Sequence, residues 1–226
     1  MKPGRLTLAA ILIMAGVMMH AAVSAAQDKQ KYHAAGVSQA GDIAYPLNTR
    51  TPGFVTLDVS VDASGAVQNV GVVRDVPPLT SAAQSAVKGW QFTGAALEGK
   101  HVPGTVRIDV AFNPYNPSGV GLPGESLQPP SGGGNGKFQP AGLQQANYAN
   151  YPPNMVSGGT VVLKVGVGKS GKVHGVTFVQ GSNALAGAAT AAAKTWVFSP
   201  ATYEGTAVSS EVVVVFVFAS AEAGTR

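Results

Sequence analysis

The sequence predicts an α+β protein of two tandem two-layer domains. Each is a three-stranded antiparallel sheet with one helix, in the order β-β-α-β, and a Pro/Gly-rich linker joins them. Three observations predict this. A 68-residue stretch is written twice without a gap, period-two alternation marks strands within each copy, and one apolar stripe at helical spacing sits between them.

The repeat is the strongest of the three. Tyr45-Pro46 returns as Tyr151-Pro152, Gly53 as Gly159, and Ser64-Gly65 as Ser170-Gly171. Leu79, Ala82, Ala83, Ala86, Lys88, Trp90 and Phe92 return as Leu185, Ala188, Ala189, Ala192, Lys194, Trp196 and Phe198. Glu98-Gly99 returns as Glu204-Gly205, and Phe112 as Phe218. Every pair is 106 residues apart, and about 26 of the 68 aligned positions are identical.

At the N-terminus, Lys2 and Arg5 precede an apolar run from Leu6 to Val17 and a small-residue stretch from Ala21 to Ala26. This order predicts a cleavable export signal over residues 1–26, with a retained membrane anchor as the alternative. Removing Lys2 and Arg5 from the fifteen basic residues leaves thirteen against eleven acidic ones, a net charge of +2. With no Lys/Arg cluster, nucleic acid is not an expected partner. There is no cysteine, so an exported form does not rest on disulfides.

Residues 27–44 read as a polar, flexible lead-in. The first repeat spans 45–113. Val55, Leu57, Val59 and Val61 alternate with Thr56, Asp58 and Ser60, which predicts a strand with one buried face. Asp62-Ala63-Ser64-Gly65 reads as a hairpin turn, and Val67, Val70, Val72 and Val73 as a return strand whose broken phase suggests a bulge. Leu79, Ala82, Ala83, Ala86, Val87 and Trp90 form one helical stripe after Pro77-Pro78. Trp90 and Phe92, with Trp196 and Phe198, are expected in the core. A loop at Glu98-Gly99 leads to the last strand, where Val106, Ile108, Val110 and Phe112 alternate with Arg107, Asp109 and Ala111.

Residues 114–137 hold five prolines and the run Gly132-Gly133-Gly134, and read as a flexible linker. The second repeat spans 138–219. It matches the first except in its last strand, where Val212 to Phe218 is an unbroken apolar run. Such a run is either buried on both faces or a sticky partner-binding surface. Residues 220–226 read as a frayed tail.

No catalytic constellation emerges. His20, His33, His101 and His174 occupy non-equivalent positions, so neither metal nor cofactor is expected and the protein does not read as an enzyme. Asp58, Asp62, Asp75 and Asp109 face Lys164, Gly168, Gly181 and Val215 across the repeat, which predicts solvated surface carboxylates.

Tyr-Pro, the Gly-led Val/Leu strand, Ser-Gly-x-Val, the Ala-rich helix ending Lys-x-Trp-x-Phe and the final Val/Phe strand together resemble the C-terminal domain of TonB-type energy transducers. The likeness covers each repeat. It implies a periplasmic domain that binds an extended peptide of an outer-membrane or periplasmic protein, a TonB-dependent receptor among them, by strand addition. Position by position, it implies a peptide-binding edge at Val106, Arg107, Ile108, Asp109 and Val110, and at Val212, Val213, Val214, Val215 and Phe216. Two departures stand out. The apolar N-terminus looks cleavable, and the Pro/Gly segment lies between the copies rather than ahead of them. These favour a periplasmic adaptor. The alternatives are a membrane-anchored energy transducer for outer-membrane uptake and an envelope structural module that binds peptidoglycan. Nothing in the sequence sets the oligomeric state.

Overall fold

The computed structural model describes residues 32–47, 49–118, 121–129 and 137–224. The expected export signal lies outside them. In the first repeat the main elements are β1 (Gly53–Val61), β2 (Val67–Arg74), α1 (Leu79–Val87) and β3 (Gly104–Asn113). In the second they are β4 (Gly159–Val167), β5 (Val173–Gly181), α2 (Asn183–Ala193) and β6 (Ser210–Phe218). The β-β-α-β order is therefore present twice.

Local chemistry accounts for the turns. In the β1–β2 hairpin the Asp62 carboxylate accepts from the Ser64 amide at 2.8 Å, the Ser64 hydroxyl at 2.6 Å and the Ala66 amide at 3.0 Å. These bonds, the Ser64 hydroxyl first, hold Asp62 below the usual carboxylate range. Gly65 follows at φ 93°, and a Cβ there would come within 2.1 Å of the Phe92 carbonyl oxygen. Its equivalent, Gly171, would meet the Phe198 carbonyl oxygen at 1.9 Å. Positive φ and close approach together require glycine at both sites. The register shifts between Thr56 and Leu57 and between Ser60 and Val61 are the irregularity that the broken valine phase suggests.

The segment read as a loop at Glu98-Gly99 is instead a tight hairpin between Ala95–Leu97 and Lys100–Val102. Glu98 and Gly99 both have positive φ, 52° and 78°, and Glu204 and Gly205 repeat this at 49° and 79°. Two consecutive positive-φ residues match the right-handed twist of the flanking strands.

Two separate three-stranded sheets do not form. The six main strands make one sheet in the order β5-β4-β6-β3-β1-β2. All neighbours are antiparallel except β6 and β3, which run parallel from Val213 beside Ile108 to Phe218 beside Asn113. The physical reason lies in the second faces of the last strands. Val213, Val215 and Val217 offer no polar alternation and must be covered. Joining equivalent edges in parallel turns one unit over relative to the other, so the helices lie on opposite faces. The cores record this. The cluster beneath α1 includes Leu79, Ala83, Val87 and Trp90 and takes in Val162, Val213, Val215 and Val217 from the second repeat. The cluster beneath α2 includes Leu185, Ala189 and Trp196 and takes in Phe54 and Ala111 from the first.

The described part of the stretch read as a flexible lead-in, residues 32–44, is ordered. Tyr32–His33 pairs with Ala96–Leu97, and Gly36–Gln39 pairs with Gln91–Thr93. The second repeat does the same, with Phe138–Gln139 on Thr202–Tyr203 and Gly142–Ala146 on Val197–Ser199. Each lead-in also reaches the other repeat. The Ile43 amide donates to the Thr160 hydroxyl at 2.9 Å, and the Ala149 amide donates to the Asn113 side-chain oxygen at 2.9 Å. The linker is not wholly structureless either. Glu125–Ser126 pairs with Gln145–Ala146, and the Leu127 amide donates to the Gln144 carbonyl at 2.6 Å. Beyond Phe218, Ala221–Gly224 forms one 3₁₀ turn where a frayed tail is expected.

Candidate partner-binding edges

The implied peptide edges occupy the middle of the sheet. β3 lies between β1 and β6, and β6 lies between β3 and β4. Ile108, Asp109 and Val110 stand beside Val213, Val214 and Val215 in the parallel register, with Phe216 beside Ala111. Val106, Arg107 and Val212 lie just ahead of that register, opposite Val59, Asp58 and Val165 on their own hairpin partners. All ten residues are buried. Over Ile108–Asn113 and Val213–Phe218 the two last strands thus satisfy each other's backbone, and an incoming strand finds no free ladder along that stretch.

The polar face of β3 is not solvated, contrary to the surface reading of its carboxylates. The Arg107 guanidinium donates to both Asp58 oxygens, from Nε at 2.8 Å and from an Nη at 2.7 Å. This bidentate geometry is the strong form of the pair. Its other Nη faces the Pro140 and Ala141 carbonyls at 3.4 Å and 3.3 Å, so the lead-in of the second repeat closes over it. Asp109 is fully buried. One oxygen accepts from the Thr56 hydroxyl at 2.6 Å, and the other has no partner among the described residues. Burial pushes its carboxyl up to about 6, opposed by the Thr56 bond and by Arg107 and Arg74. Asp62 is on the surface as expected, and Asp75 is outside the core.

The strands that end the six-stranded sheet are β2 and β5, and on β2 the Val70 carbonyl already accepts from the Gln84 side-chain amide at 3.0 Å. Sequence reasoning passed over them because the resemblance put pairing on the last strand of each repeat. They carry a matched pair of exposed apolar side chains, Val72 and Phe178, 42% and 41% accessible and 106 residues apart. The two edges differ in their surroundings. Beside β2, the Arg74 guanidinium donates to the Gln128 carbonyl at 2.7 Å, which holds the linker there.

The expected core aromatics Trp90, Phe92, Trp196 and Phe198 are all buried. The Trp196 ring N–H donates to the Asn147 carbonyl at 2.9 Å, whereas that of Trp90 has no partner among the described residues. No group of acidic residues and histidines able to hold a metal occurs among the described residues, and no helix there is long and apolar enough to cross a membrane.

Comparison with curated proteins and with solved structures finds no match. The family model for the Gram-negative bacterial TonB protein C-terminal domain matches residues 48–114 and again 144–219. This is a protein-interaction family of the cell envelope, without enzymatic activity. Two matches in tandem, over most of the chain, place it: the protein belongs to the TonB C-terminal family.

Proposed function

We propose that this chain is an exported periplasmic adaptor that binds extended peptide segments of outer-membrane or periplasmic proteins by strand addition, in support of TonB-dependent transport. The observation that carries the reading is the parallel join of β3 to β6. It covers most of the edges that the resemblance implied and leaves β2 and β5 at the ends of the sheet, which supports reading them as the pairing edges. An edge strand offers a row of unpaired amides and carbonyls, and side chains such as Val72 and Phe178 give an incoming strand something apolar to cover. Two such edges on one rigid sheet suit a partner with two extended segments, or two partners brought together. Peptide pairing at Ile108–Val110 or Val213–Phe216 requires the join to open.

Site-specific photocrosslinking in the native envelope tests this. Crosslinkers at Val72 and Phe178 should capture a protein partner, and crosslinkers at Ile108 and Val214 should not. Capture only from Ile108 and Val214 would return the site to the last strands. Capture from none of the four would remove strand addition altogether.

A further inference from the structure

The two lead-ins meet at a cleft of about 440 Å³, beside the start of β6 and ahead of the point where its parallel register with β3 begins. Tyr32 and His33 line it from the first repeat, and Phe138, Tyr203, Ser210 and Glu211 from the second. The site exists only because there are two copies.

Its chemistry is one-sided. Tyr32 lies 4.9 Å from Phe138 and 5.6 Å from Tyr203 between ring centroids, so the cleft has a continuous aromatic wall. The Tyr32 hydroxyl and the Ser210 hydroxyl are buried with no hydrogen-bond partner among the described residues. Buried polar atoms without partners are rare enough to mark a place where something else supplies the bond. Among the described residues Glu211 is the one carboxylate in the lining, no lysine or arginine lines the cleft, and His33 adds an imidazole at its edge. Lys164 approaches from outside, its Nζ 3.7 Å from a Glu211 oxygen, too long for a good hydrogen bond. The lining therefore offers aromatic surface, two unpaired hydroxyls and a carboxylate, and the carboxylate beside aromatic rings is the pairing that suits an organic cation.

We propose that this cleft binds a small organic cation, an ammonium head group of the alkyl or quaternary kind. The aromatic wall takes the alkyl surface and the charge together, and Glu211 supplies the counter-charge. Lys164 competes for Glu211.

Titration of the full chain with choline, and in parallel with its neutral isostere 3,3-dimethylbutan-1-ol, tests the proposal by calorimetry and by tyrosine ring shifts in NMR. Choline should bind saturably and shift the tyrosine resonances, and the isostere should not. Glu211→Gln should weaken choline by about tenfold, and Lys164→Gln should tighten it by several-fold, as expected where one ion pair sits against aromatic faces. Both substitutions are at partly or fully exposed side chains, so folding is retained. Tyr32→Phe, which keeps the ring but removes the unpaired hydroxyl, should weaken choline by a few-fold and no more. Equal binding of choline and the isostere, or no binding of choline, would overturn the proposal. So would an affinity indifferent to both Glu211 and Lys164. None of these outcomes bears on strand addition at β2 and β5.

Discussion

Tyr32 and Phe138 occupy the same position in the two repeats and pack against each other, with ring centroids 4.9 Å apart. Equivalent residues in contact define an approximate two-fold relation between the copies. The same relation places β3 beside β6 and α1 and α2 on opposite faces. The duplication thus produced an internal dimer in one chain. Each repeat supplies a wall of the other's core.

Shared cores predict a single folding unit. Trp90 reports on the cluster beneath α1 and Trp196 on the cluster beneath α2. Single-tryptophan variants, Trp196→Phe and Trp90→Phe, should show coincident denaturant transitions by fluorescence. Two separated midpoints would mean that each repeat folds by itself on a tether.

The Arg107–Asp58 pair sits under the Pro140 and Ala141 carbonyls, so its loss should be felt in both repeats. Arg107→Met leaves Asp58 with a buried, uncompensated charge and removes the donor to those carbonyls. The expected cost is about 3–5 kcal/mol. The double variant Arg107→Met/Asp58→Leu replaces the pair by apolar volume and should recover most of that loss. Equilibrium unfolding of both variants checks this, and a single variant within about 0.5 kcal/mol of the parent would show an open, solvated pair.

Asp109 has a carboxyl raised by burial to about 6, against an ordinary value of 3.8. The folded state therefore holds a proton that the unfolded state has released between about pH 4 and pH 6. Where the folded state binds more protons, stability falls as pH rises, so this group's contribution is full below about 4 and lost by about 6. The loss is on the order of 2–3 kcal/mol at most. Asp109→Asn keeps an acceptor for the Thr56 hydroxyl and cannot ionise. It should flatten the stability profile from pH 4 to 6 and be at least as stable as the parent at pH 7. A parental slope that persists in Asp109→Asn would assign the titration elsewhere.

Much of this fold was legible because period-two and period-3.6 patterns survive in both copies. β1 and β4 follow their valine alternation, and the turns at Gly65 and Gly171 follow their glycines. The lead-in strands were hidden because their pattern is short. Yet Ala35-Gly36 and Gln39-Ala40 return as Ala141-Gly142 and Gln145-Ala146, at the same spacing of 106, and extending the comparison upstream would have found them. The join of β3 to β6 was hidden for a different reason. A repeat read alone gives Arg107 and Asp109 a solvent face, and only the other copy's backbone shows what covers them. The one signal was the unbroken run Val212 to Phe218, which demanded a cover without naming it.

That run supplies the sharpest contrast between seam and open edge. Val215 is fully buried, stands beside Val110 in the parallel register, and faces the core beneath α1. Val215→Asp puts a carboxylate there without a partner, and should cost about 4 kcal/mol or more and unfold the whole chain. Asp109, by contrast, is attended by the Thr56 hydroxyl and by the charges of Arg107 and Arg74. Val72→Asp and Phe178→Asp fall on β2 and β5, where both side chains are already about two-fifths exposed. Each should change stability by no more than about 1 kcal/mol, and charges on edge strands discourage pairing with another strand. The two edge variants should therefore keep the parental circular dichroism spectrum and unfolding midpoint and lose captured partner. A folded Val215→Asp variant that still loses partner would place the interface at the seam, and the open-edge reading would then be abandoned.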